Sequence, residues 1–278
     1  MRLPIIFCSV ATLPFVISAP QGVAIHERAA ATRNVKPNLT HGSALNIHQS
    51  RALIAPRVYN QNQAGAVILR PPEGDKFTSI TGTFTVPTIA LPRGGNAAAK
   101  YSASIWLGIA NNRNQDAVLQ GGITMALQGT ASSFFAWSGW TPDKATNVST
   151  ADFAVSSGDS VTITVTSTSV TEGTVVLDNV TTGKKVTKAV TAPSSVDPTD
   201  LTAQSVDVMV EGYQVNGGLP DLVDFTRVQF TKVAAGTASG QSIGVTGSGL
   251  YEVQTTSGQV LTKTTVPEAD QVLVTFIK

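Results

Sequence analysis

Short runs of β-branched residues, each broken by Gly, Pro, Asn or Asp, succeed one another along most of the 278-residue chain. Several runs alternate strictly. Ser160 to Ser167 reads Ser-Val-Thr-Ile-Thr-Val-Thr-Ser, with apolar side chains on one face of a strand and hydroxyls on the other. The pattern predicts strands over 65–70, 77–87, 102–109, 116–126, 132–140, 160–168, 173–181, 203–211, 224–233, 250–255 and 270–277. Turn residues punctuate them, as in Ser157-Gly158-Asp159, Thr182-Gly183 and Ser257-Gly258. No stretch carries a capped helical period. So many strands without intervening helices predict an all-β chain, an antiparallel β-sandwich of two large curved sheets of the concanavalin or jelly-roll kind.

The first 57 residues break this pattern. Met1-Arg2, the apolar run Leu3 to Val16 and then Ile17-Ser18-Ala19 have the form of a secretory signal peptide over residues 1–19. Beyond it no apolar run reaches the ~18–20 residues that span a bilayer, so no membrane partner is expected. Residues 20–57 hold five basic side chains against Glu27 alone, a balance of +4, and all three histidines, His26, His41 and His48. From residue 58 onward 13 basic and 17 acidic residues give −4. A basic, histidine-bearing leader on an acidic domain suits a propeptide held by charge as an intramolecular inhibitor. Acid would release it, by protonating the histidines and neutralising the carboxylates. A plain linker is the alternative. The folded domain is expected to occupy 58–278, secreted to the extracellular space and monomeric.

Composition narrows the chemistry. Charged residues make up only 13% and the formal net charge is +1, which offers no electrostatic case for nucleic acid. The single cysteine is Cys8, inside the signal, and from Arg51 to Lys278 there is neither cysteine nor histidine. That excludes from the domain a disulfide, a Cys nucleophile, a Ser-His-Asp triad and His-ligated zinc. Carboxylates, amides, hydroxyls, Lys, Arg and Tyr remain, and no cofactor or metal is expected. Gly240-Gln241-Ser242-Ile243-Gly244 has nucleophile-elbow spacing but no histidine base and no following helix, so it reads as a turn. Lys184-Lys185 reads as a charged hairpin end. Asn147-Val148-Ser149 and Asn179-Val180-Thr181 are glycosylation sequons.

Alternation then sorts the polar side chains. Before Glu211, Val206, Val208 and Val210 share a core face, leaving Asp207, Met209 and Glu211 opposite. Ala117, Leu119 and Ile123 would face the core, with Val118, Gln120, Gly122 and Thr124 opposite. Ile105, Leu107 and Ile109 likewise oppose Trp106, Gly108 and Ala110. Trp106, Gln120 and Glu211 can therefore look out of the same side of one sheet. On periodicity alone such a face is expected to be solvated. Trp137 and Trp140 are open to either a cleft or a core position.

In this setting the residues resemble a known family, the fungal glutamic peptidases (eqolisins). Trp106-Leu107-Gly108-Ile109 and Val118-Leu119-Gln120-Gly121-Gly122 are similar to its Trp-Val-Gly-Ile and Ile-Leu-Gln-Thr-Gly segments. Ala136-Trp137-Ser138-Gly139-Trp140-Thr141-Pro142 resembles its Trp-Tyr-Glu-Trp-Tyr-Pro. Ser157-Gly158-Asp159-Ser160 and Asp178-Asn179-Val180-Thr181-Thr182-Gly183 resemble Glu-Gly-Asp-Ser and Glu-Asn-Leu-Thr-Thr-Gly. Asp207-Val208-Met209-Val210-Glu211-Gly212-Tyr213 looks like Glu-Phe-Ile-Ile-Glu-Asp-Phe, and Val228-Gln229-Phe230-Thr231 matches the strand that follows. The pieces occur in order from about residue 60 to the C-terminus. The resemblance implies a β-sandwich made as a preproprotein and activated in acid, cleaving polypeptide substrates. It implies Gln120 and Glu211 as catalytic residues, with Trp106, Trp137, Asp207 and Tyr213 on the substrate side.

Departures accompany the match. Gln63-Ala64-Gly65 stands where the family carries Trp-Gly-Gly, Ala110 replaces an acid, and Gly139 replaces the Glu between two tryptophans. Asp207 replaces a Glu, and the loop between Gly122 and Phe134 reads as longer. Two functions remain open: a secreted acid endopeptidase, or an inactive eqolisin-like sandwich that binds peptide or glycan. A glycosidase using Asp207 and Glu211 is disfavoured, because same-face positions four apart on a strand lie roughly 13 Å from each other, beyond the usual carboxylate separations.

Overall fold

The computed structural model describes residues 57–110, 117–195, 205–212 and 221–277. Their strands are β1 (Arg57–Asn60), β2 (Gln63–Ile68), β3 (Phe77–Thr85), β4 (Lys100–Ala110), β5 (Val118–Gln128) and β6 (Ala131–Trp140). There follow β7 (Thr146–Asn147), β8 (Ser160–Ser167), β9 (Glu172–Asn179), β10 (Lys184–Thr191), β11 (Ser205–Glu211) and β12 (Asp221–Leu222). The last are β13 (Arg227–Thr237), β14 (Ser242–Ile243), β15 (Gly249–Val253), β16 (Thr262–Thr265) and β17 (Val272–Phe276). No helix forms among the described residues. Residues 1–56 of the expected leader segments, with Cys8 and the three histidines, lie outside them, as does Tyr213, while Arg57, expected to end the leader, opens β1.

The strands make two sheets. One has nine strands in the order β1-β15-β2-β11-β4-β5-β6-β7, with β12 beside the end of β4. The other has eight, ordered β10-β9-β8-β3-β13-β17-β16, with β14 on β13. Pairing is antiparallel except for β1 with β15 and β12 with β4. The alternation seen in the sequence determines the packing. Ile105, Leu107, Leu119, Ile123, Val206 and Val208 of the first sheet bury against Ile80, Phe84, Val161, Ile163 and Phe230 of the second. Phe84 and Phe230 meet edge to face with centroids 5.6 Å apart, a geometry favoured by the ring quadrupoles. Threonines pair across strands on the other face of the second sheet, Thr81 with Thr164 at 2.9 Å and Thr83 with Thr162 at 2.8 Å. The sandwich expected from the sequence is what forms.

Three local features add to or correct these expectations. Lys184-Lys185 is the charged hairpin end expected, but it opens a strand that the pattern did not predict, β10, which pairs along its whole length with β9. The run Lys-Lys-Val-Thr-Lys-Ala-Val-Thr hides a strand because Lys184 and Lys188 share the face of Val186 and Val190 and break up its apolar row, at a sheet edge where charge discourages pairing with another chain. Lys185 pairs with Asp178 at 3.3 Å. The segment between Gly122 and Phe134 is a long hairpin rather than a long loop: β5 and β6 pair continuously to Gln128 and Ala131, and Gly129 turns the chain at φ 63°. Finally, β1 is an added strand, tied to β15 by Arg57 donating to buried Glu252, which also accepts the Thr264 N–H at 3.2 Å.

Candidate active site

The non-core face of the nine-stranded sheet is built from three cross-strand rows on β2, β11, β4, β5 and β6. Register places Gln63, Glu211, Ser104, Thr124 and Phe135 in one row. The next holds Gly65, Met209, Trp106, Gly122 and Trp137, and the third Val67, Asp207, Gly108, Gln120 and Gly139. Trp106, Gln120, Asp207 and Glu211 thus share one face, as alternation predicts, and Trp137, which the sequence left open, joins them there. The face is not solvated, which overturns the expectation from periodicity. Val67, Trp106, Ala110, Val118, Trp137, Met209 and Tyr251 form a second apolar cluster there. Gln63, Gln120, Asp207 and Glu211 are each no more than 3% exposed within it. Trp140, three residues from Trp137 and so on the opposite face, belongs to the core between the sheets.

Hydrogen bonds converge on Glu211. Trp106 Nε1–H donates to Oε2 at 2.8 Å from β4, and Asn62 Nδ2 donates to Oε1 at 3.1 Å. Asn62 is aimed by an Asx turn, in which Asn60 Oδ1 accepts the N–H groups of Asn62 at 2.9 Å and Gln63 at 2.6 Å. Gln63 lies opposite Glu211 in register and adds a further side-chain hydrogen bond to it. Burial wins nonetheless. It pushes Glu211 up to about 8, against the hydrogen bonds from Gln63 and Trp106, while the nearby Asp207 charge adds to the rise. Burial pushes Asp207 to about 7. Tyr251 is raised to about 12 by burial and then by Asp207. Both carboxyls hold their protons well above the ordinary carboxylate range.

Gln120 reaches this face from β5, with β4 between it and β11. No hydrogen bond joins it to Glu211 among the described residues, and in register its row is that of Asp207, with Gly108 between them. The glycines of the site have a steric origin. A Cβ on Gly122 would lie 2.6 Å from Trp137 Cζ2 and 2.7 Å from Trp106 Cβ, so its absence lets the two indoles close over β5. At Gly139 a Cβ would come within 2.7 Å of Ala145 Cα, so the chain leading into β7 occupies the space of any larger side chain. Trp137 Nε1 donates to Thr124 Oγ1 at 3.0 Å, and Thr124 is hydrogen-bonded to Ser104 Oγ at 2.7 Å. Among the described residues no three His, Cys, Asp or Glu side chains gather where they could hold a metal ion.

The chain as a whole is similar to known proteins. Residues 61–276 match the model of the Peptidase A4 family. The chain belongs to that family. It is 32% identical to aspergillopepsin-2 of Aspergillus niger over 264 residues, covering 90% of this chain and 89% of that protein. Scytalidopepsin B of Scytalidium lignicola is 31% identical over 69% of each chain. The solved structure of scytalido-glutamic peptidase with a transition state analog inhibitor superposes with a TM-score of 0.65 at 26% identity, over 78% of this chain and 98% of that one. The protein is accordingly a glutamic peptidase, a hydrolase of peptide bonds acting on polypeptides.

Within this A4 peptidase, two side chains have a place on the site face that no sequence pattern marks, and a third has a contact there that its pattern does not reveal. Asn62 bonds Glu211 from a loop, and no spacing marks it. Tyr251 arrives from β15, beside Gly65, through a pairing distant in sequence. Thr124 was legible as a member of the polar face, but only the structure shows it fixing Trp137.

Proposed function

We propose that the protein is a secreted acid endopeptidase in which Glu211 moves the protons of hydrolysis and Gln120 stabilises the oxyanion. The arrangement that carries this reading is Glu211 held by Trp106 and Asn62 in an apolar setting, on the same face as Gln120. A peptide carbonyl lying between β11 and β5 would have the Gln120 amide on one side and Glu211 on the other. Glu211 takes a proton from water as its oxygen adds to the carbonyl carbon. Gln120 Nε2 donates to the oxygen as negative charge develops there. The C–N bond then breaks, and Glu211 returns its proton to the leaving nitrogen. Trp106, Trp137 and Asp207 would line the substrate, with Tyr213 outside the described residues. The proposed layout is a signal over 1–19, an inhibitory propeptide over 20–57 and a monomeric catalytic domain over 58–278.

The raised pKa of Glu211 supports a second order of events. Starting protonated, Glu211 would give its proton to the carbonyl oxygen; the carboxylate so formed would take a proton from the adding water and pass it to the leaving nitrogen as the C–N bond breaks. Base-first chemistry loses kcat/KM as pH falls through the free-enzyme pKa of Glu211; acid-first chemistry loses it as pH rises through the same value.

The test is cleavage of a denatured protein by the acidified chain in the presence of pepstatin, with Glu211→Gln, Gln120→Ala and Asp207→Asn run in parallel. Loss in Glu211→Gln with activity retained in Asp207→Asn supports the assignment. Activity surviving Glu211→Gln but lost in Asp207→Asn would transfer the role to the carboxyl in the row of Gln120. A folded domain free of residues 20–57 that cleaves nothing would defeat the enzymatic reading and leave a binding face.

A further inference from the structure

The two sequons of the domain have opposite fates in the fold. Asn179 ends β9 and is completely buried. Its Nδ2 donates to the Ala154 carbonyl at 3.1 Å and to Asp159 Oδ2 at 2.8 Å, while its Oδ1 accepts the Thr182 N–H at 3.2 Å. Thr181 Oγ1, the third position of that sequon, accepts the Ser160 N–H at 2.8 Å. Both Nδ2 hydrogens are committed and no space remains for a sugar. This sequon clamps the β8–β9 end of the second sheet.

Asn147, by contrast, is accessible. It lies on β7, the edge strand of the first sheet, and both it and Ser149 are exposed. Val148 between them is buried in the core, which fixes the direction of its neighbours. Asn147 sits opposite Trp137 in the antiparallel β6–β7 pair, and Ala145, two residues earlier, packs against the Trp106–Trp137 cluster. Both relationships put the Asn147 side chain on the active-site face, at its open β7 rim.

We propose that Asn147 carries an N-linked oligosaccharide that stands at the rim of the substrate face, and that Asn179 stays unmodified. The reaction needs a lipid-diphosphate-linked oligosaccharide as donor. Asn147 Nδ2 bonds to C1 of the reducing sugar, the bond from C1 to the diphosphate oxygen breaks, and Nδ2 loses one proton as the lipid diphosphate departs. The inference rests on the secreted reading, since the donor is met only along the secretory route, but it is independent of catalysis.

The full chain is to be expressed in a fungal host, with medium and cells analysed separately by glycopeptide mass spectrometry before and after peptide-N-glycosidase. A third sequon, Asn38-Leu39-Thr40, lies outside the described residues and is resolved by the same mapping. The expected result is secreted protein whose 147 peptide loses one glycan and is left with aspartate, while the 179 peptide is unchanged. Asn147→Gln should lose that glycan and keep the parental Tm; Asn179→Gln should keep the glycan and melt lower. Secreted, folded protein bare at Asn147 would overturn the proposal and leave secretion standing. Protein confined to the cells and bare at every sequon would overturn both. A glycan on Asn179 of folded protein would refute the argument from burial.

Discussion

Trp106 and Glu211 sit on adjacent strands and are joined by a 2.8 Å hydrogen bond from the indole Nε1 to Oε2, buried within the apolar cluster of the site face. The pair explains how a carboxyl survives there. Burial drives Glu211 toward its neutral form, and the indole donor, which favours the charged form, opposes it. Trp106 is thus a positioning residue for Glu211 as well as part of the floor.

Trp106→Phe keeps the ring and removes the donor. A hydrogen bond to a charged group is worth about 1.5–3 kcal/mol, so kcat/KM should drop roughly tenfold to a hundredfold. The loss should fall mainly on kcat, and the pH limb belonging to Glu211 should move upward. Kinetics across the pH range, with Tm as a control for folding, distinguish this from a packing defect, which would lower Tm and leave the limb in place.

The same burial favours the folded state in acid through these two carboxyls. Unfolded Asp and Glu titrate near 3.9 and 4.3, whereas folded Asp207 and Glu211 are raised to about 7 and about 8. Between those limits the folded state binds more protons than the unfolded state, so stability falls as pH rises. The contribution is fully present below about pH 4 and lost by about pH 8, with a slope of at most ~1.4 kcal/mol per pH unit for each group. Urea midpoints from pH 4 to 8 should decline. Asp207→Asn and Glu211→Gln should each flatten the decline, and an unchanged slope in both variants would refute this origin.

Much of this site was legible before any coordinates. Period two on β11, β4 and β5 alone placed Asp207 and Glu211 with Trp106 and Gln120, because side-chain direction in a strand is a local property. What covers a face is not local. The cluster burying these groups draws Val67, Trp106, Val118, Trp137 and Tyr251 from five strands, and β11 meets β2 and β4 across more than ninety residues of chain. Alternation therefore identified the face and misjudged its solvation. β10 escaped for another reason, since Lys184 and Lys188 interrupt the apolar row of Val186 and Val190 on its inner face.

Gln63 is a local conflict at the heart of the site. It is 1% exposed, and its Oε1 is buried with no hydrogen-bond partner. An unsatisfied buried acceptor costs about 1–3 kcal/mol. Gln63→Met keeps the length of the side chain and removes both the orphan oxygen and the amide donor facing Glu211. The expected outcome is a Tm equal to or above that of the parent together with reduced kcat, because stability gains where Glu211 loses a donor. A lower Tm in the variant would show instead that the amide is a net structural asset.

Gly122 tests whether the packing of the two indoles over β5 controls the site. Any Cβ there meets Trp137 Cζ2 at 2.6 Å, the Ile105 carbonyl at 2.7 Å and Trp106 Cβ at 2.7 Å, two of them rigid neighbours in the sheet. Overpacking of this kind costs about 1–3 kcal/mol. It should also displace Trp106 from Glu211, so Gly122→Ala is expected to lower activity per folded molecule as well as Tm. Gly158→Ala is the comparison: its φ is +90° but nothing lies within 4 Å of the added carbon, so only backbone strain is incurred. That variant should lose stability while keeping full kcat. Equal activity in the two variants at matched folded fractions would mean that the spacing of the indoles does not control the carboxyl beneath them.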